Sequence, residues 1–140
     1  MKKLFFLILT AVFFTASAFA KIPARITDAL QAKYAGAANV EWKHSIGNYK
    51  ASFNMDGYRL EAKFDRKGNW LKSEKMLKTE KLPVTVKNCL RNSKYSQWEI
   101  KSSYEEYLPD KKPQYHVMAA KGDFKRKSLM FDYHGQLLNG

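Results

Sequence analysis

Three histidines, one cysteine and two sets of carboxylates are the residues of this 140-residue chain best suited to catalysis or metal binding. His44, His116 and His134 stand singly, with no partner at the spacing of a local metal motif. His134 lies in the run Phe131-Asp132-Tyr133-His134-Gly135, and the earlier Phe64-Asp65-Arg66-Lys67-Gly68 has lysine there, so that turn does not demand an imidazole. Asp65 and Asp132 occupy the same place in those two runs. A short acid in such a turn bonds its own backbone and sets the hairpin, which is a structural task. Glu105 and Glu106 are adjacent, so on a strand they point to opposite faces. No phosphate-binding glycine loop, dinucleotide fingerprint, nucleophile elbow or H-E-x-x-H pair occurs. The expectation is a non-enzyme, with no catalytic, cofactor-binding or metal-binding residue assigned and no cofactor.

Cys89 is the single cysteine, so no disulfide can form within the chain. It falls on the apolar side of a helical pattern with Val86 and Leu90, where a thiol acts as a small hydrophobe. Aromatic and methionine side chains are the other candidates. His116, Met118 and Met130 lie on the strand phase that is polar in the first half of the chain, and Tyr104 and Tyr107 flank a long loop. Tyr104, Tyr107, His116, Met118 and Met130 are therefore the candidate partner-binding residues. The competing reading is a second sheet packed on both faces.

The elements that position these residues come from an internal repeat. Ile22-Pro23 opens one unit and Leu82-Pro83 the next, 60 residues later. The two Phe-Asp-x-x-Gly turns are 67 apart, which places about seven extra residues near Tyr107-Leu108-Pro109-Asp110-Lys111-Lys112-Pro113. Each unit begins with a helix whose first turn accommodates proline. Ile22, Ile26, Ala29, Leu30 and Tyr34 form one apolar stripe; Leu82, Val86, Cys89 and Leu90 form the other, with Tyr95 closing the helical stretch. Four alternating strands should follow each helix. In the first unit they run through Val40 and Trp42, Tyr49 to Met55, Tyr58 to Phe64 across an Asp56-Gly57 turn, and Trp70 to Met76. In the second they run from Trp98 through Ile100 to an end at Tyr104, through Tyr115 to Ala119, through Leu129 and Phe131, and briefly at Leu137. Ser73 to Lys81 is expected to connect the units. The fold class is α+β: two tandem units, about 22–78 and 82–138, each a helix on a four-stranded antiparallel sheet, joined in one continuous sheet.

The first twenty residues read as a cleaved export signal: Lys2 and Lys3, the apolar run Leu4 to Phe14, then Ala18-Phe19-Ala20 as the cleavage site, with Ala16-Ser17-Ala18 an alternative two residues earlier. An anchor would need roughly 20 apolar residues. Residues 21–140 should then form one domain, periplasmic or secreted, without a transmembrane anchor. Its 23 basic and 13 acidic residues favour polyanionic partners, and export argues against nucleic acid.

Ile22-Pro23, Asn39-Val40-Glu41-Trp42, Tyr49-x-Ala51-x-Phe53, Gly57, Phe64-Asp65-x-x-Gly68-Asn69-Trp70 and Leu82-Pro83 together resemble the PepSY-like proteins, secreted bacterial domains similar to the β-lactamase inhibitor protein. The likeness covers the whole chain after the signal. It implies two tandem helix-plus-sheet units and a non-enzymatic protein-binding role, as an inhibitor or regulator of an envelope enzyme. The implied partner is another envelope or secreted protein. The inhibitor's disulfides have no counterpart here, and no inhibitory loop can be matched. The alternative expectation is electrostatic binding of envelope polyanions such as lipopolysaccharide or acidic glycan.

Overall fold

The structure, a computed structural model, describes residues 21–140; the export signal and its cleavage site lie outside the described residues. Pro23 precedes helix α1 (Ala24–Lys33), and Pro83 precedes helix α2 (Val84–Arg91). Both prolines sit where a missing N–H leaves no helical bond unmade. Seven strands form one sheet in chain order: β1 (Ala38–Ser45), β2 (Asn48–Met55), β3 (Tyr58–Asp65), β4 (Trp70–Leu77), β5 (Glu99–Tyr107), β6 (Gln114–Lys121) and β7 (Lys125–Phe131). Every neighbouring pair is antiparallel.

Both helices cover the same face. Ile26 and Leu30 of α1 pack on Ala51, Phe53, Leu60, Ala62 and Phe64. Val86 and Leu90 of α2 pack on Val117, Ala119, Leu129 and Phe131, with half-buried Cys89 against that cluster. Strand alternation sends these residues to one side and their neighbours to the other. Ser73 is fully buried between β4 and α1, where its hydroxyl oxygen accepts hydrogen bonds from Tyr34 Oη at 2.6 Å and Trp70 Nε1 at 2.8 Å.

The Asp65 and Asp132 turns have one hydrogen-bond pattern. Asp65 Oδ1 accepts from the Lys67 and Asn69 amides, and Asp132 Oδ1 from the His134 and Gln136 amides. Gly68 (φ +90°) and Gly135 (φ +85°) each approach a helix: a Cβ would stand 3.0 Å from the Arg25 carbonyl oxygen in the first and 2.6 Å from Thr85 in the second. Glycine is needed there for both conformation and clearance.

Four expectations are corrected. A fourth strand in the second half is absent: Leu137 makes only an isolated bridge to Phe131, and the chain then turns to cap β7, with Leu138 N–H donating to the Met130 carbonyl and Asn139 reaching Met130 and Ser128. The sheet therefore has seven strands, not two sets of four. Strand β5 runs on past Tyr104 to Tyr107, because β4 and β6 pair with it along that length. Strand β4 extends to Leu77, so the connection shrinks to Lys78 and a single 3-10 turn, Thr79–Lys81. Helix α2 stops at Arg91, and buried Tyr95 belongs to the turns that follow.

Candidate protein-binding face

Among the described residues no helix covers the second face of the sheet. Cross-strand pairing arranges its side chains in rows, because directly opposed residues share a face. Met76 pairs with Tyr104, Tyr104 with His116, and His116 with Met130, a row crossing β4 to β7. One step along the strands, Ser102, Met118 and Ser128 form a shorter row. Met76 is 49% exposed, whereas Tyr104, His116, Met118 and Met130 are half-buried. The rings of Tyr104 and His116 lie 5.9 Å apart, and His116 Nε2 is hydrogen-bonded to Ser128 Oγ.

On the other side of the mixed row lie two charged ones. Glu61 pairs with Glu74, and Glu74 with Glu106. Lys43, Lys50, Lys63 and Lys72 pair in sequence across β1 to β4. Like charges placed directly opposite repel; diagonal ion pairs offset this. Lys50 reaches Glu61 at 3.3 Å, and Lys72 reaches Glu74 at 2.8 Å and Glu106 at 3.7 Å. Burial alone would depress the Lys72 ammonium, but the hydrogen bond to Glu74 and the charges of Glu74 and Glu106 outweigh it and hold its pKa above the ordinary lysine value. A shallow cavity of about 80 Å³, bounded by Arg59, Glu61, Glu74, Met76 and Tyr104, joins the charged and mixed rows.

Four of the five residues singled out from the sequence thus share this face. Tyr107 does not. It lies three residues beyond Tyr104 on the same strand, opposite Ser73, and so points to the helix side. There it belongs to a groove of about 270 Å³ with Tyr34, Tyr58, Leu60 and Lys75. The Lys75 ammonium lies 4.7 Å from the Tyr58 ring centre, 5.8 Å from that of Tyr107 and 2.9 Å from Glu105. Burial and the hydrogen bond to Glu105 push the Tyr107 phenol above its usual pKa.

Sequence spacing gave His116 no ligating neighbour. Strand pairing supplies two: a ring nitrogen of His116 and one carboxylate oxygen from each of Glu74 and Glu106 lie within 4.8 Å of one another. These residues come from three strands, so no short-range motif could reveal them. Met76 and Arg59 were missed for the same reason; their membership of the face depends on which strands become neighbours. His44 stacks on Tyr49 at 4.5 Å on the far side of the sheet, and His134 stays in its exposed turn.

The antiparallel sheet thus carries both helices on one face and leaves a mixed aromatic, methionine and charged row uncovered on the other. Residues 47–139 match the family described as "Putative beta-lactamase-inhibitor-like, PepSY-like", and the chain belongs to that family. Among solved structures, a BLIP-like protein from Bacteroides fragilis is 28% identical, with a TM-score of 0.78 over 86% of each chain. A DUF2874 family protein from Bacteroides ovatus is 21% identical, with a TM-score of 0.80 over 85% of this chain and 86% of its own. A Bacteroides eggerthii protein described as "putative periplasmic" is 21% identical, with a TM-score of 0.78 over 85% and 87%. Among curated proteins, none matches the chain. No helix among the described residues is long and apolar enough to cross a membrane.

Proposed function

We propose that this is a non-enzymatic protein-binding module of the bacterial envelope, periplasmic or secreted, which presents the helix-free face of its sheet to another envelope or secreted protein. The observation that carries this reading is the row Met76, Tyr104, His116 and Met130, apolar and polarizable side chains left without a covering layer. Aromatic and methionine side chains supply much of the binding energy in protein interfaces, and the flanking lysine and glutamate rows provide the charged rim. Inhibition or regulation of an envelope enzyme is the form of binding suggested by the family description and by likeness to a BLIP-like protein. We also read the domain as two tandem units, about 22–78 and 82–138, in support of which stand the matched Asp65 and Asp132 turns and the two Gly-to-helix contacts. The test is crosslinked capture from envelope extract, comparing the natural protein with Met76→Asp. A partner retained by the first and lost by the second is expected; one captured equally by both would refute use of this face.

A second reading, binding to an envelope polyanion, is favoured by the β6–β7 hairpin tip. Phe124 there is 98% exposed, and Lys121, Lys125, Arg126 and Lys127 lie within three residues of it in the chain. Clustered cations beside an exposed aromatic suit an anionic lipid or glycan surface. Binding to anionic vesicles that falls steeply between low and physiological salt would support it, and salt-insensitive binding would refute it.

A further inference from the structure

One grouping on the helix-free face has chemistry beyond that of a contact surface. Glu74 on β4, Glu106 on β5 and His116 on β6 each bring one ligating atom within 4.8 Å of the other two. The imidazole is already oriented: Nε2 is engaged by Ser128 Oγ, while Nδ1 is buried and has no hydrogen-bond partner. When Nε2–H donates to that hydroxyl, the Nδ1 lone pair is left for a Lewis acid. A hydroxyl or carboxylate holding the second nitrogen is how proteins fix the tautomer of a metal-ligating histidine.

Charge points the same way. Glu106 is only 8% exposed, and Glu74 is its direct cross-strand neighbour. Two carboxylates so placed need a cation between them, and Lys72 supplies one, 2.8 Å from Glu74 and 3.7 Å from Glu106. A single ammonium balances one of the two charges and, being a donor only, competes for the carboxylates. A divalent cation balances both carboxylates and also takes the nitrogen lone pair.

We propose that Glu74, Glu106 and His116 form a binding site for a divalent transition-metal ion, with Zn²⁺ the best match, and that Lys72 occupies its place in the metal-free protein. One imidazole and two carboxylates are ordinary zinc donors, whereas Mg²⁺ and Ca²⁺ favour oxygen alone. Zinc bonds of about 2.1 Å at tetrahedral angles put ligand atoms about 3.4 Å apart. Atoms that now lie within 4.8 Å of one another need close by at most about 1.4 Å, within reach of glutamate side-chain rotation as the ammonium withdraws. Three protein ligands leave the fourth position, on the uncovered side of the sheet, to water or a donor from a bound partner.

The test is calorimetric titration of untagged, chelator-treated protein with Zn²⁺. One ion per chain is expected, bound at micromolar concentration or tighter. Glu106→Gln and His116→Ala should each weaken binding at least tenfold, and His44→Ala should leave it unchanged. Lys72→Met should tighten binding at least threefold, because the competing cation is gone; a merely electrostatic attraction of Zn²⁺ to surface acids predicts a smaller and His116-independent change. A nitrogen-15 NMR spectrum of the natural protein provides a readout free of substitutions, with the His116 Nδ1 resonance moving on addition of one equivalent. Absence of saturable binding, equal affinity in His116→Ala, or an unmoved Nδ1 resonance would each overturn the site.

Discussion

Ser73→Ala gives the sharpest test of how the helices are seated on the sheet. The Ser73 hydroxyl is fully buried and accepts from both Tyr34 Oη and Trp70 Nε1, joining the end of α1 to β4. The substitution removes the acceptor without creating bulk, so two donors lose their partner. Leaving a buried donor unsatisfied costs about 1–3 kcal/mol. Tyr34 and Trp70 are only partly buried, so water recovers part of the loss and each donor falls at the low end, giving a total of about 2 kcal/mol. For a domain of ~120 residues the unfolding entropy is about 0.25 kcal/mol per degree, so Tm should fall by about 8 °C. Differential scanning calorimetry measures the shift directly. A double-mutant cycle with Tyr34→Phe should then show coupling of about 0.5–1 kcal/mol, since both changes break one bond. Additive effects, or a Tm shift below about 2 °C, would show that the hydroxyl does not hold the helix.

The same tyrosine has a pH signature. Burial raises the Tyr34 pKa above 10.0, against the lowering effect of the Ser73 bond, and burial also raises those of Tyr107 and Tyr115. A raised folded-state pKa contributes stability that is complete below the unfolded value and is lost as pH rises through the folded one. Stability should therefore decline above about pH 10, where phenols begin to ionise, and Tyr34→Phe should shallow that decline in pH-dependent urea unfolding; an unchanged slope would count against the assignment. Gly135→Ala should cost several times more than Gly122→Ala. Both have positive φ, but a Cβ at 135 meets Thr85 at 2.6 Å while one at 122 meets nothing within 4 Å, and thermal melts would refute the clash if the two variants matched. Met76→Ala should leave Tm within about 3 °C, since the side chain is half-exposed, while weakening the captured partner about tenfold in surface plasmon resonance. Phe124→Ser should leave stability unchanged within about 0.5 kcal/mol and reduce binding to anionic vesicles; equal vesicle binding would remove the hairpin tip from the polyanion reading.

Much of the fold was legible because its signals are local. The stripe from Ile26 to Leu30, the alternation through Tyr49 to Phe64 and the Asp56-Gly57 turn each decide their own element through sterics and side-chain phase. The end of β5 was not legible in this way: Tyr104 to Tyr107 continues as strand because β4 and β6 supply hydrogen-bond partners on both sides. On that continuous strand the odd spacing between Tyr104 and Tyr107 puts them on opposite faces. The missing eighth strand has a comparable cause, since the chain after Gly135 uses Leu138 and Asn139 to cap the β7 edge instead of extending along it.

By itself the sequence determined the basic balance of charge, a matter of composition, and the helix stripes, strand phases and glycine turns, which are properties of residues within a few positions of one another. It also put His116, Met118 and Met130 on one phase of their strands. Only the tertiary structure decided that this phase faces away from both helices, and that Met76, Glu74 and Glu106 stand beside it. The reason is that β4 and β5 meet across a connection that includes α2, in the register that puts buried Ser73 and Ser103 on the helix side. A one-residue slip there would send every one of these side chains to the other face.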